Sequence, residues 1–210
     1  NVDKEITGQV VIPAVHEGYP VTQIANYALY GCENITDIFI PDSITVLPHS
    51  RLFDNATGIW VAEGNPAFSS DEKGVLFNKD KTVLIQAPGA MSGIYTIPSG
   101  VTTIDASAFQ HCSSLTGITI PDGVTVINDN TFYDCESLTS VKLPDHITSI
   151  NDNMFTACLN LANFKIPNRV TNIGYSAFES CENLITITIP DSVTSIGYCA
   201  FDGCKNLSSI

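Results

Sequence analysis

Apolar residues recur along this chain at a spacing that no single helix or strand produces. Ile97-Pro98, Ile120-Pro121, Leu143-Pro144, Ile166-Pro167 and Ile189-Pro190 stand 23 residues apart without a gap. Behind each pair the same positions return. One unit carries Ile120, Val124, Ile127, Phe132, Cys135, Leu138 and Val141, and the next carries Leu143, Ile147, Ile150, Phe155, Cys158, Leu161 and Phe164. Within a unit, Leu115-x-x-Ile118-x-Ile120 ends in alternation and Val124-Thr125-x-Ile127 is short and β-branched, both strand signals. The proline and the Asp or Ser after it predict a turn between them. Ala108-Phe109-x-x-Cys112 has helical spacing and predicts one helical turn at a corner. A single such coil has nothing to bury its apolar side against, so coils stack and the apolar positions become ladders. About seven or eight coils at the ~4.8 Å strand spacing make a stack roughly 35–40 Å long.

The first two units vary the theme. Ile12-Pro13 to Ile40-Pro41 spans 28 residues, with five extra residues in the segment AVHEGYP. The unit from Ile40 gains a residue before Leu52-Phe53, loses three after it, and carries no cysteine. Residues 62–92 fit no repeat. There Val75-Leu76-Phe77 and Val83-Leu84-Ile85 flank the polar Asn78-Lys79-Asp80-Lys81, which predicts a β-hairpin. The expected organisation is one repeat domain over 1–210 with a hairpin insertion at about 62–92.

The pattern L-x-x-I-x-I-P-x-x-V-T-x-I-x-x-x-A-F-x-x-C-x-x resembles the BspA-like leucine-rich repeat. The long first unit, IPAVHEGYPVTQI, is similar to that family's opening coil, and SSDEKGVLFNKDKTVLIQAPGAMSGIYTIPSGVTTI to its recurrent inserted module. The resemblance implies an α/β, β-rich solenoid: a right-handed leucine-rich repeat coil with short parallel strands and helical-turn corners, about 23 residues per repeat. It also implies a large bacterial surface or secreted protein with a role in adhesion to host proteins. The expected function is therefore a non-catalytic protein-interaction or adhesion module. A rigid spacer within a larger surface protein and a glycan-binding module are the alternatives.

Composition narrows the partners. The chain carries 22 acidic against 9 basic residues, a net charge of −13, yet only 15% of residues are charged. Such acidity disfavours nucleic acid and anionic membrane surfaces. No stretch approaches the length of apolar residues a membrane span needs, so membrane insertion is not expected. The chain opens on Asn1 without methionine and reads as a processed or trimmed product. The expected location is extracellular or cell-surface, with a signal peptide removed.

Six of the seven cysteines occupy one repeat position: Cys32, Cys112, Cys135, Cys158, Cys181 and Cys204. They read as a buried ladder of small apolar residues. Cys199 aligns with Ser107, Asn130, Asn153 and Ser176, nearer the surface. His16, His49, His111 and His146 show no zinc spacing. Asp42, Asp122, Asp145 and Asp191 follow the repeat prolines and read as turn stabilisers. Asn128-Asp129-Asn130 and Asn151-Asp152-Asn153 read as turns or caps in preference to calcium ligands. No nucleophile-elbow, zinc-protease or phosphate-loop motif is present, so no catalytic residue, metal or cofactor is expected.

Side chains between the buried positions point outward on the concave sheet of a leucine-rich repeat. The first outward column is Asp37, Gly58, Ile94, Gly117, Ser140, Asn163, Thr186 and Ser209. The second is Phe39, Trp60, Thr96, Thr119, Lys142, Lys165 and Thr188. Phe39 and the only tryptophan, Trp60, are expected as stacked neighbours, either covered by the 62–92 insertion or exposed as an interface anchor. Lys142 and Lys165 are also expected as neighbours, a like-charge pair that costs a little stability. These four are the candidate ligand-binding residues, for a host or extracellular protein, including matrix proteins, or for a glycan.

Overall fold

The computed structural model describes residues 7–29, 31–32, 34–48 and 55–209. His49, the Leu52-Phe53 pair and the chain ends at Asn1 and Ile210 lie outside them. The chain divides into two compact units, Asn1–Ala90 and Met91–Ile210.

In the first unit, β1 (Thr7–Val11), β4 (Asn34–Ile40) and β5 (Gly58–Val61) form a parallel sheet in the order β1-β4-β5. The AVHEGYP extension is a small antiparallel hairpin of β2 (Val15–His16) and β3 (Tyr19–Pro20). Its two-residue turn, Glu17-Gly18, has positive φ at both positions, the form that matches strand twist. Ile24, Ile35, Ile38, Ile40, Ile44, Ala56, Ile59 and Leu76 make the core. Beyond β5 run β6 (Phe68–Ser70), β7 (Leu76–Asn78) and β8 (Val83–Gln86), an antiparallel meander. The β7–β8 pair is the hairpin legible in the sequence, and β6 is a third strand that the sequence pattern does not announce. Buried Asn65 fixes the entry to this meander. Its Nδ2 donates to the carbonyls of Pro41 and Ile44 at 2.7 and 2.8 Å, and its Oδ1 accepts from the Ala67 and Phe68 amides at 2.8 Å. All its donors and acceptors are thus satisfied, as burial requires.

The second unit is a stack of parallel coils, with β9 (Gly93–Thr96), β10 (Thr103–Ile104), β11 (Leu115–Thr119), β12 (Val126–Ile127) and β13 (Ser140–Lys142) in its first part. The rest holds β14 (Ser149–Ile150), β15 (Asn163–Lys165), β16 (Asn172–Ile173), β17 (Thr186–Thr188) and β18 (Ser195–Ile196). Register follows the repeat: Gly117 pairs with Ser140, Phe164 with Ile187, and Ile150 with Ile173. The interior is built of ladders. Phe109, Phe132, Phe155, Phe178 and Phe201 stack with centroid spacings of 5.5, 5.4, 5.4 and 5.4 Å. That offset parallel arrangement suits the ring quadrupole.

The corners correct one expectation. Among the described residues there is no helix; the segments expected as helical turns are chains of tight turns. Positive φ recurs four residues apart, at Ser107 and His111, Asn130 and Asp134, Asn153 and Ala157, Ser176 and Ser180, Cys199 and Gly203. Left-handed residues at that interval end any right-handed path. The amide hydrogens then alternate. Ala108, Gln110 and Cys112 donate to Asp105, Ser107 and Phe109 within the coil, while Ser107, Phe109 and His111 donate to Asp129, Thr131 and Tyr133 of the next. A helix would keep all of them to itself.

Candidate functional site

The strand faces place the four candidate residues in two locations, one in each unit. On the first unit, Phe39 pairs with Trp60 across β4 and β5, and Asp37 with Gly58. Phe39 and Trp60 are half-buried and stand outside the aliphatic core cluster. The Trp60 indole lies back over Gly58: a Cβ on that glycine would sit 2.6 Å from Cε2, Cζ2 and Nε1 of the ring. The indole Nε1 donates to Asp37 Oδ1 at 2.8 Å, and Thr57 Oγ1 donates to the same oxygen at 3.3 Å. Asp37 and Gly58 are therefore the seat of the indole, a role their column spacing does not reveal. The meander runs against the same strand. Ile59 N donates to Gly74 O at 2.9 Å, and Val61 N to Ser70 Oγ at 3.1 Å.

On the second unit, Thr119 pairs with Lys142 and Lys165 with Thr188, but no ladder joins β13 to β15. The companion strands break at the same place: β10 pairs with β12, β14 with β16 and β16 with β18, but β12 does not pair with β14. The coils 120–142 and 143–165 are thus joined at the corner, and between Asn160 and Glu136, but have no ladder on either strand face. The corner bonds are intact, Asn130, Phe132 and Asp134 donating to Asp152, Met154 and Thr156 at 2.8–3.0 Å. Between β12 and β14, Asn151 Nδ2 reaches the Ile127 carbonyl at 2.7 Å. In neighbouring coils a backbone amide makes that bond, Asn128 to Ile104 and Gly174 to Ile150.

Coil 143–165 also differs from its neighbours in side-chain volume. Coil 143–165 carries Phe164 where its neighbours carry Ile118, Val141 and Ile187, and Met154 where they carry Ala108, Thr131 and Ala177. Phe164 is wedged against Phe155 and Phe178, with centroids 4.9 and 5.1 Å away. These ring contacts lie within coil 143–165 and toward coil 166–188. An open cavity of about 380 Å³ lies over β13, β15 and β17, lined by Lys142, Lys165, Asn163, Asp145, Thr186 and Thr188, among others. Both lysines are exposed, and neither is paired with a carboxylate among the described residues.

The sequence profile described as the BspA type leucine rich repeat region matches residues 12–63 and 93–208, in six copies. The chain belongs to the BspA-type leucine-rich repeat family. The gap between the matched segments contains the β6–β8 meander. No curated protein matches the sequence. Among solved structures, a leucine rich cell surface protein from Faecalibacterium prausnitzii A2-165 is 26% identical with a TM-score of 0.83, covering 99% of this chain and 60% of its own. The pneumococcal vaccine antigen PcpA is 25% identical with a TM-score of 0.79, covering 91% of this chain and 48% of its own. A leucine-rich repeat protein from Eubacterium ventriosum shares the fold at 24% identity and a TM-score of 0.62, covering 93% of this chain and 64% of its own. The chain thus spans about half to under two thirds of the length of these relatives.

The BspA-type cysteine ladder has a chemical function in the fold. Cys135, Cys158, Cys181 and Cys204 each donate S–H to the carbonyl of the ladder phenylalanine one coil back, Phe109, Phe132, Phe155 and Phe178, at 3.1–3.2 Å. A purely apolar residue of similar size would lack that donor. Burial pushes the thiols of Cys158 and Cys181 up, with the neighbouring ladder cysteines adding to it. Cys199, in a left-handed corner position, is half-buried. The Asn-Asp-Asn segments make hydrogen bonds between neighbouring coils: Asp152 Oδ1 accepts from Tyr175 N at 2.7 Å, and Asn128 Nδ2 donates to Asp105 Oδ1 at 3.4 Å. Among the described residues no cluster of His, Cys, Asp and Glu has the arrangement of a metal site. Among the described residues no helix is long and apolar enough to cross a membrane.

Proposed function

We propose that the chain is a non-catalytic protein-interaction module of a bacterial cell-surface or secreted protein, binding a host or extracellular protein through its strand faces. Leucine-rich repeats of this family are in general interaction scaffolds, and two structural relatives are described as a cell surface protein and a vaccine antigen. The observation that carries the reading is the seat of Trp60. A large aromatic held outside the core, oriented by a carboxylate and a glycine of its own sheet, is a preorganised anchor. A spacer has no need of such a device, since a uniformly polar face would serve it equally well. The test is a binding screen of the wild-type chain against immobilised extracellular-matrix proteins and glycans, repeated with Trp60→Ala. Loss of a protein ligand with an unchanged melting midpoint supports the reading. Binding indifferent to Trp60, or confined to glycans, removes it.

A further inference from the structure

The outward columns of the second unit change character at two adjacent coils. Along the second column Thr96 and Thr119 give way to Lys142 and Lys165, and threonine returns at Thr188. Two of the nine basic residues thus stand on neighbouring coils of a chain with net charge −13. Both are exposed, and neither pairs with a carboxylate among the described residues. Like charges side by side on a sheet cost stability unless something offsets them. The two lysines line the same open cavity of about 380 Å³, a volume within the range of small-molecule sites. Asn163, Thr186 and Thr188 share that lining, and their side chains both donate and accept hydrogen bonds. Asp145 is also there, and an ionised carboxylate only accepts.

That mixture bears on the occupant. The lysines favour an anionic group, and their flexible stems let two ammonium groups converge on it. Asp145 needs a donor from the ligand, which a bare inorganic anion supplies poorly, and it repels a ligand that is anionic throughout. Asn163 and the two threonines match hydroxyl groups. The edges of Phe164 and Leu143 add apolar contact beneath them. A sugar ring that carries a carboxylate or a sulfate meets all of these demands: one charge, several hydroxyl donors and acceptors, and a face of C–H groups. The cavity lies over three strands, roughly 10 Å at ordinary strand spacing, so it has room for more than one ring. We propose that this cavity is a binding site for an acidic saccharide, with its carboxylate or sulfate on Lys142 and Lys165 and its hydroxyls on Asn163, Thr186, Thr188 and Asp145. The site lies in the second unit, whereas Trp60 belongs to the first, and it goes beyond the protein-interaction reading.

The probe is a disaccharide of galacturonic acid, titrated into the full chain at low salt and followed by the NMR signals of β13, β15 and β17. A sulfated disaccharide, the methyl ester of the galacturonate dimer, inorganic phosphate and a triglutamate peptide are titrated beside it. At least one acidic disaccharide is expected to bind saturably and to shift the signals of Asn163, Thr186 and Thr188, the two arms showing which oxyanion the site takes. The methyl ester, phosphate and the peptide are expected to bind roughly tenfold more weakly or worse. Lys142→Gln and Lys165→Gln should each weaken the sugar about fivefold, and high salt should weaken it further. Lys73→Gln removes an exposed charge of the first unit and should leave affinity unchanged, which separates a site from general charge attraction. No saturable binding of either acidic disaccharide, equal binding of the methyl ester or of phosphate, or preference for the peptide would each overturn the assignment. So would full affinity in the Lys142→Gln, Lys165→Gln double variant, or an equal loss in Lys73→Gln. Both cavity lysines are exposed, so the variants retain the fold. The protein-interaction reading is judged by Trp60→Ala against protein ligands, and either reading can fail alone.

Discussion

Substituting Gly58 by alanine tests the seat of Trp60 without touching the tryptophan. Gly58 sits on a strand with no positive φ, so the backbone accepts a Cβ. Steric room does not. The new carbon would lie 2.6 Å from three indole atoms, and the ring must leave. Three contributions then set the stability change. Re-exposing on the order of 100 Å² of the ring costs about 2 kcal/mol. Losing the hydrogen bond to the Asp37 carboxylate, discounted because the group is partly solvated, costs roughly 1 kcal/mol. The gain in strand propensity from glycine to alanine returns about 0.5–1 kcal/mol. The net is a loss of ~2 kcal/mol. Because Trp60 is the only tryptophan, its fluorescence reports the seat without interference. The emission maximum is expected to shift to the red and acrylamide quenching to increase, together with a lower denaturation midpoint. Unchanged emission and quenching in Gly58→Ala would refute the argument, since an indole resting on Gly58 has nowhere to remain.

Two further outcomes follow from the second unit. At pH 8, alkylation of the native chain followed by mass spectrometry is expected to label the half-buried Cys199 well before Cys158 and Cys181. Cys158 and Cys181 should react only on denaturation, because burial raises their thiols and the thiolate is the nucleophile; equal rates for Cys158 and Cys199 would contradict the ladder. Phe164→Ile removes the ring that contacts Phe155 and Phe178. A lower denaturation midpoint, at a packing cost of roughly 1 kcal/mol, is expected, and a midpoint equal to that of the wild type would show that those ring contacts add nothing to stability.

The ladders were legible because repetition turns one residue choice into many. Ile-Pro at 23-residue spacing, with Phe and Cys at constant offsets behind it, leaves a single register in which every apolar side chain meets its copy. The corners were misread because Ala108-Phe109-x-x-Cys112 has an interval that a helix and a string of tight turns share. The discriminating signal lay in the flanking residues. Asn130, Asp134, Asn153 and Gly203 are residue types that tolerate left-handed φ, and they occur at the two positions where it is needed. Asp37 and Gly58 escaped notice as the support of Trp60 because a column argument follows every second residue and not the sideways reach of a large ring. The pairing of Lys142 with Lys165 was expected from register alone. Register places both in adjacent coils, but no ladder joins their strands, and the 23-residue spacing carries no sign of that break.

The alternating corner hydrogen bonds also bear on how such an array grows. Each coil interface in the second unit is directional: three corner amides of one coil are received by three carbonyls of the next, from Ser107, Phe109 and His111 onward to Ser176, Phe178 and Ser180. An interface of that kind is its own template. A duplicated 23-residue segment inserted at any repeat boundary presents the same three donors forward and the same three acceptors backward, so it joins without orphaning a polar group. An inserted segment with a different corner would not. Length in this architecture is therefore free to change by whole coils, while the corner chemistry within a coil is held fixed, and variation is directed to the outward columns.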